Sequence, residues 1–147
     1  AFVPGISSSL AVPAYQNIPL TKRGSSESFW IITGTTKDHK ISSDVALAAK
    51  SNATVVVLMG MGKLPEIIAL FQRENKHNLP VAIIQNGTRA NEKVGIGTVD
   101  TILEIVKEKA LSNPSIIVLG EVVKHRQIIS DIQLHYAVEQ NSVLYGS

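Results

Sequence analysis

The sequence predicts an α/β fold: a three-layer α-β-α sandwich built on a mixed, mostly buried sheet of about five strands. Three observations carry this. Short runs of β-branched residues at 54–59, 81–84 and 115–119 are apolar throughout, the pattern of strands covered on both faces. Stretches with apolar residues three and four apart lie between them and read as helices. Strands and helices that alternate in this way pack as a sheet with helices on both sides. The runs ending near Ile84 and starting near Lys93 are joined by a short turn, which parallel strands cannot manage, so the sheet is mixed.

Taken in order, residues 6–15 are small and apolar, and a serine can cap a short helix from about Ser8, with Pro13 near its end or kinking it. Ile18-Pro19-Leu20 is extended, because the residue before a proline avoids the helical region. Residues 28–33 (SFWIIT) are rich in aromatic and β-branched side chains and end at Gly34, which reads as a strand. A polar loop follows, and then an alanine-rich helical turn or two over 44–50. The run 54–59 (TVVVLM) is broken by Gly60, Met61 and Gly62. Leu64, Ile67, Ile68 and Phe71 set a helix over 64–75, and Pro65 sits in its first turn, where a missing N–H costs nothing. The strand 81–84 closes at Asn86-Gly87, and 93–98 alternates as a strand does. Ile102, Ile105 and Val106 share a helical face within 99–110. The last buried strand, 115–119, ends at Gly120; beyond it Ile128, Ile129, Ile132 and Tyr136 suit an amphipathic helix.

Composition removes several function classes. There is no cysteine, which excludes a disulfide framework, a thiolate zinc site and a cysteine nucleophile. The four histidines are far apart, with no HxH or HxxxH pairing, so no metal site is expected. The net charge of +2 is small and the basic residues are scattered, so a nucleic-acid partner is not expected. The longest nearly apolar run, 53–61, falls far short of the roughly 20 residues that a spanning helix needs, so no membrane association is expected. The N-terminus has no basic region of a signal peptide, and residue 1 is not Met; the chain is expected to begin after processing or excision, and to be cytoplasmic.

Glycines follow buried strands at Gly60 and Gly62, at Gly87 and at Gly120. Open α/β sheets bind small molecules beyond the carboxyl ends of their strands, and glycine lets a ligand approach the backbone closely. A glycine that merely makes a turn is the alternative at each position. Gly60-Met61-Gly62 and Gly95-Ile96-Gly97 lack the third glycine of a dinucleotide fingerprint. Asp44, Glu66, Asp100 and Glu104 form no telling carboxylate pair. Ser7, Ser8 and Ser9 do not form a GxSxG elbow, and helix capping is their ordinary use. Read alone, Met59 is core at a strand end and Lys22-Arg23 a solvated turn.

A set of ordered blocks carries the reading further. Val3-Pro4-Gly5-Ile6-Ser7-Ser8, Pro13-Ala14-Tyr15 and Ile18-Pro19-Leu20-Thr21-Lys22-Arg23 resemble VPGITSA…PAYxGIPLTHR of uroporphyrinogen-III C-methyltransferases, which are tetrapyrrole methylases. Ile31-Ile32-Thr33-Gly34 resembles the VTGH strand of that family, with Thr35 in place of histidine. Val57-Leu58-Met59-Gly60-Met61 resembles YMGL, and residues 80–88 resemble PVAxVxNGT. Gly97-Thr98 matches the GTL turn, and residues 114–123 resemble PAxIVVGEVV. The resemblance spans residues 3–126 and keeps its spacing.

The resemblance implies the second domain of a two-domain fold over 1–126, followed by a helical extension over 127–147. The N-terminal domain, with the GxGPGD segment and the GDP-type loop, is expected outside this chain, so no catalytic residue is expected within it. It implies S-adenosyl-L-methionine as methyl donor, S-adenosylhomocysteine as its product, and cofactor contacts at Ser7, Ser8, Met59, Gly87 and Ser115. Uroporphyrinogen III and precorrin-1 are the implied substrates, methylated at C2 and C7 to precorrin-2 for sirohaem or cobalamin. Lys22 and Arg23 are candidates to meet the substrate carboxylates. A homodimer is also implied, and the chain alone is expected to be inactive. The alternatives are another precorrin methylase, or a non-catalytic binding or dimerisation module on the same scaffold.

Overall fold

The structure is a computed structural model; it describes residues 1–145, and the burial of side chains up to residue 137. The last two residues of the 127–147 extension lie outside the described residues. The elements are α1 (Ser8–Tyr15), β1 (Phe29–Thr33), α2 (Ser43–Lys50), β2 (Thr54–Leu58), α3 (Leu64–Arg73), β3 (Pro80–Gln85), β4 (Lys93–Thr98), α4 (Ile102–Glu108), β5 (Ser115–Leu119) and α5 (His125–Tyr145). Short 3-10 turns at Met61–Lys63 and Glu121–Lys124 lead into α3 and α5.

The sheet order is β1-β2-β5-β3-β4. β1 and β2 are parallel; β5 runs antiparallel to both β2 and β3, and β4 antiparallel to β3. The sheet is therefore mixed, as the short β3–β4 connection requires.

Alternation along the strands divides the core in two. Val55, Val57, Val81, Ile83, Ile117 and Leu119 face one side and pack on Val45 and Ala48 of α2, Ile67 and Phe71 of α3, and Ile102 of α4. Val56, Ala82, Ile84, Ile116 and Val118 face the other and pack on Val12, Ile18, Val122 and Val123. Each central strand thus buries both of its faces, which is why its sequence is a continuous apolar run rather than an alternation.

β1 is a strand as expected, and only Ile32 of it is buried, because β1 is an edge strand. α5 leaves Ile128, Ile132, Leu134 and Tyr136 exposed, since α1 and the 121–124 turn already cover that face of the sheet. Polar bonds tie α5 down instead: Asn17 Nδ2 donates to Ser130 Oγ at 3.2 Å and to Gln133 Oε1 at 2.9 Å. Asn17 has φ of 58°, a left-handed conformation that asparagine tolerates.

Candidate functional site

A pocket of about 340 Å³ opens at the carboxyl ends of β2 and β3. Its floor is the start of β5, at Pro114, Ser115 and Ile116. Because β5 lies between β2 and β3 and runs against both, its first residues sit beside their last ones. Leu58 and Met59 form one wall, and Ile84, Asn86 and Gly87 the opposite one. Ser8 and Val12 of α1 close a third side, and Arg89 stands at the rim.

The walls hold unusual backbone. Met59 turns out of β2 into the left-handed region at φ 53°, and its side chain is 65% exposed. Its carbonyl accepts a hydrogen bond from Thr35 Oγ1 at 2.8 Å, so the turn is held from β1's side. Asn86 and Thr88 are also left-handed, at φ 51° and 68°, and Asn86 N donates to Pro114 O at 3.0 Å. A non-glycine residue such as Met59 or Thr88 pays about 1–2 kcal/mol in this region, while asparagine tolerates it. Such strain persists only where the surroundings over-determine it, and it concentrates at ligand sites.

Gly87 is a glycine for a packing reason. A Cβ there would lie 2.4 Å from Val12 Cγ1 and 2.6 Å from its Cγ2. The space that a Cβ would need is filled by the Val12 side chain of α1.

The expected contacts divide as follows. Ser8, Met59, Gly87 and Ser115 all line the pocket. Ser7 does not: it is the N-cap of α1, accepting from Ser9 N at 3.3 Å and sharing a 2.7 Å bond with Ser9 Oγ. Ser8 Oγ makes no hydrogen bond among the described residues, and Ser115 Oγ donates to Ser112 O, which leaves its lone pairs open. Lys22 and Arg23 lie in a turn whose Ser26 bonds Thr54 Oγ1 at 2.8 Å, at the start of β2. The pocket is at the other end of that strand, roughly 13 Å away at about 3.3 Å per residue, and the structure does not bring the pair to it.

Arg89 and Thr35 were not picked out from sequence. Among the described residues Arg89 is the one charged residue lining the pocket, and its guanidinium has no partner there. The signal was a cation directly behind Asn86-Gly87-Thr88, but which way it points depends on two left-handed residues that the sequence does not reveal. Among the described residues no carboxylate or histidine lines the pocket. Two groups are clearly displaced from their ordinary pKa. Burial lowers Lys76, partly offset by Glu74; hydrogen bonds from Gln72 and then His77 lower Asp100. Neither lines the pocket. The arrangement is equipped to bind and orient a partly apolar ligand.

Residues 1–103 match the family model of Tetrapyrrole (Corrin/Porphyrin) Methylases. The chain belongs to the tetrapyrrole methylase family. Among relatives in that family, it is 42% identical over 125 residues to a uroporphyrinogen-III C-methyltransferase of Priestia megaterium, covering 82% of this chain and 52% of that protein. It is 38% identical over 132 residues to an S-adenosyl-L-methionine-dependent uroporphyrinogen III methyltransferase of Methanosarcina barkeri, covering 88% and 52%. A siroheme synthase of Nitrosomonas europaea is 37% identical over 126 residues, covering 85% and 26%. The chain thus spans about half the length of the first two relatives and a quarter of the third. Among solved structures, a uroporphyrin-III C-methyl transferase of Thermus thermophilus complexed with S-adenyl homocysteine superposes with a TM-score of 0.69 at 26% identity, covering 83% of this chain and 52% of that one. A cobalt precorrin-4 methyltransferase shares the fold at a TM-score of 0.74 and 18% identity. The mixed α/β tetrapyrrole methylase fold expected from sequence is the fold observed.

Proposed function

We propose that this chain is the second domain of an S-adenosyl-L-methionine-dependent uroporphyrinogen-III C-methyltransferase, and that its pocket is one wall of the cofactor cleft. The observation that carries the reading is convergence. Ser8, Met59, Gly87 and Ser115 come from four separate segments, each falls at a cofactor-contact position of the family motifs, with Ser8 and Ser115 in place of small apolar residues, and all four line one pocket. The relatives of 37–42% identity named above are methyltransferases and a siroheme synthase, which supports the substrate class.

The residues fit the group. Met59, Leu58, Ile84 and Ile116 offer apolar surface to a heterocycle, and methionine is soft enough to pack against one. Ser8 Oγ is free to bond polar cofactor atoms, and Arg89 suits a carboxylate, of cofactor or of substrate. The bound cofactor supplies an electrophilic methyl on a sulfonium; an enamine-like pyrrole carbon is the nucleophile. The pocket's contribution is to fix the cofactor's orientation, and alignment of this kind accounts for much of the rate in such transfers. Groups that handle protons belong to the proposed N-terminal domain. Homodimerisation, a cytoplasmic setting and the sirohaem or cobalamin route complete the reading.

Incubation of the full-length protein with S-adenosyl-L-methionine and uroporphyrinogen III tests this by mass spectrometry. A product carrying two added methyl groups is expected, and no gain of methyl would overturn the assignment. Met59→Ala is expected to raise KM for the cofactor roughly tenfold, the loss that goes with about 1.4 kcal/mol of packing.

A further inference from the structure

A hydrogen-bonded chain runs from α5 to the pocket. Arg126, in the first turn of α5, donates to Gln16 Oε1 from Nε at 3.2 Å and from Nη2 at 3.0 Å. Gln16 Nε2 donates to Glu92 Oε1. Glu92 Oε2 in turn accepts from Thr88 N at 2.7 Å, within the left-handed loop next to Gly87. The polarity admits one arrangement. A guanidinium can only donate and a carboxylate can only accept, so Gln16 must turn its oxygen to Arg126 and its amide nitrogen to Glu92. Gln16 is only 8% exposed, so water is a poor substitute for either partner.

We infer that Gln16, Glu92 and Arg126 are positioning residues: through them α5, which lies outside the matched residues 1–103, holds the Asn86–Thr88 loop in its ligand-accepting shape. Thr88 carries the cost of the left-handed region, and its N–H finds its acceptor in Glu92; Asn86, a residue type that visits this region, is held separately by Pro114 O and Arg89 N. A charge-assisted bond is about twice as strong as a neutral one and offsets that cost. Arg126 acts at one remove. Without it Gln16 is free to rotate its amide, and Glu92 loses the donor that orients it. The consequence for a cofactor rests on the function proposed above; the consequence for the loop does not.

The test is a swap in the full-length protein. In Glu92→Gln, position 92 keeps one acceptor oxygen where two donors, Gln16 Nε2 and Thr88 N, point at it, and Arg126 stops Gln16 from turning its amide to relieve the conflict. Adding Gln16→Glu repairs the chain in reverse, because Glu at 16 accepts from Arg126 and from the new Gln at 92, whose oxygen still accepts from Thr88 N. Two readouts are followed, the amide proton shift of Thr88 and the dissociation constant for S-adenosylhomocysteine. Glu92→Gln is expected to move the Thr88 amide upfield and weaken binding roughly tenfold, with Arg126→Ala acting in the same direction but less. The double variant is expected to return both readouts to within about twofold of wild type in affinity and close to the original shift. A role in global stability alone would leave the Thr88 amide shift and the affinity of the folded protein unmoved by Glu92→Gln. A Thr88 amide indifferent to Glu92→Gln and Arg126→Ala, or a double variant no better than Glu92→Gln, overturns the inference. A wild-type protein that binds no S-adenosylhomocysteine while its Thr88 amide follows all three variants as expected upholds the relay and defeats the cofactor reading.

Discussion

Gly87 and Met59 occupy the two walls of the pocket, and each is set by a different constraint. Gly87 is dictated by Val12, whose methyls fill the space a Cβ would need. Gly87→Ala is expected to destabilise the fold by about 1–3 kcal/mol, as overpacking does, and Val12→Ala added to it should recover part of that loss. Denaturant melts check this; a Gly87→Ala protein as stable as wild type would contradict the contact. Met59 is strained at φ 53°, so Met59→Gly should gain up to about 1 kcal/mol, the relief of strain less the entropy cost of glycine. The same change should weaken cofactor binding, a trade of function for stability that paired melts and titrations would expose. The motif order was enough to single out Met59, Gly87 and Ser115 before any geometry was known. It did not reveal Thr35 or Arg89, whose parts depend on which way Met59 and the Asn86–Thr88 loop turn.

The elements were legible where burial leaves a periodic trace. The inward face of α3 is Leu64, Ile67, Ile68 and Phe71, the residues whose spacing predicts the helix. Phe71→Ala is expected to cost about 3–5 kcal/mol, measured by thermal or denaturant unfolding, because its ring is fully buried. What periodicity does not encode is strand order. The run FWIIT reads as a strand, but nothing in it says that it lies at the sheet edge with Trp30 and Ile31 partly exposed. α4 begins at Ile102 rather than at residue 99, since Thr98 N donates to Thr101 Oγ1 at 2.9 Å and closes a turn first. Asp100, in that turn, accepts from Gln72 of α3 at 2.8 Å and lies 3.0 Å from His77 Nδ1, joining three segments. These bonds depress its pKa, so the folded chain holds the Asp100 proton less tightly than the unfolded chain. The stabilisation is therefore complete above the ordinary aspartate value and is lost as pH falls through the depressed one. Because the carboxylate is exposed the effect is small. Asp100→Asn should lower stability slightly at neutral pH, and the gap from wild type should close on acidification below that depressed value.

At the scale of the whole molecule, the sheet separates two cores and exposes the carboxyl ends of β2 and β3 between α1 and β5. That geometry follows from the strand order, and the pocket follows from that geometry. Composition and charge said little about the site; the ordered motifs said more, because they mark segments that only the fold brings together. Ser8, Met59, Gly87 and Ser115 are spread over more than a hundred residues of sequence and line one space of about 340 Å³. Lys22 and Arg23 sit at the far end of β2, a separation that linear order conceals. The chain holds only two methionines, Met59 in the pocket and Met61 outside it, which supplies a direct probe. Methyl-labelled methionine gives two resonances, and titration with S-adenosylhomocysteine reads them separately. A cofactor wall completed by another domain predicts that Met59 shifts, that Met61 does not, and that the chain alone saturates only weakly, near millimolar or beyond (about −4 kcal/mol). No movement of Met59, or movement of Met61 alone, would contradict the pocket's assignment, and tight saturation by this chain would contradict the claim that the site is shared.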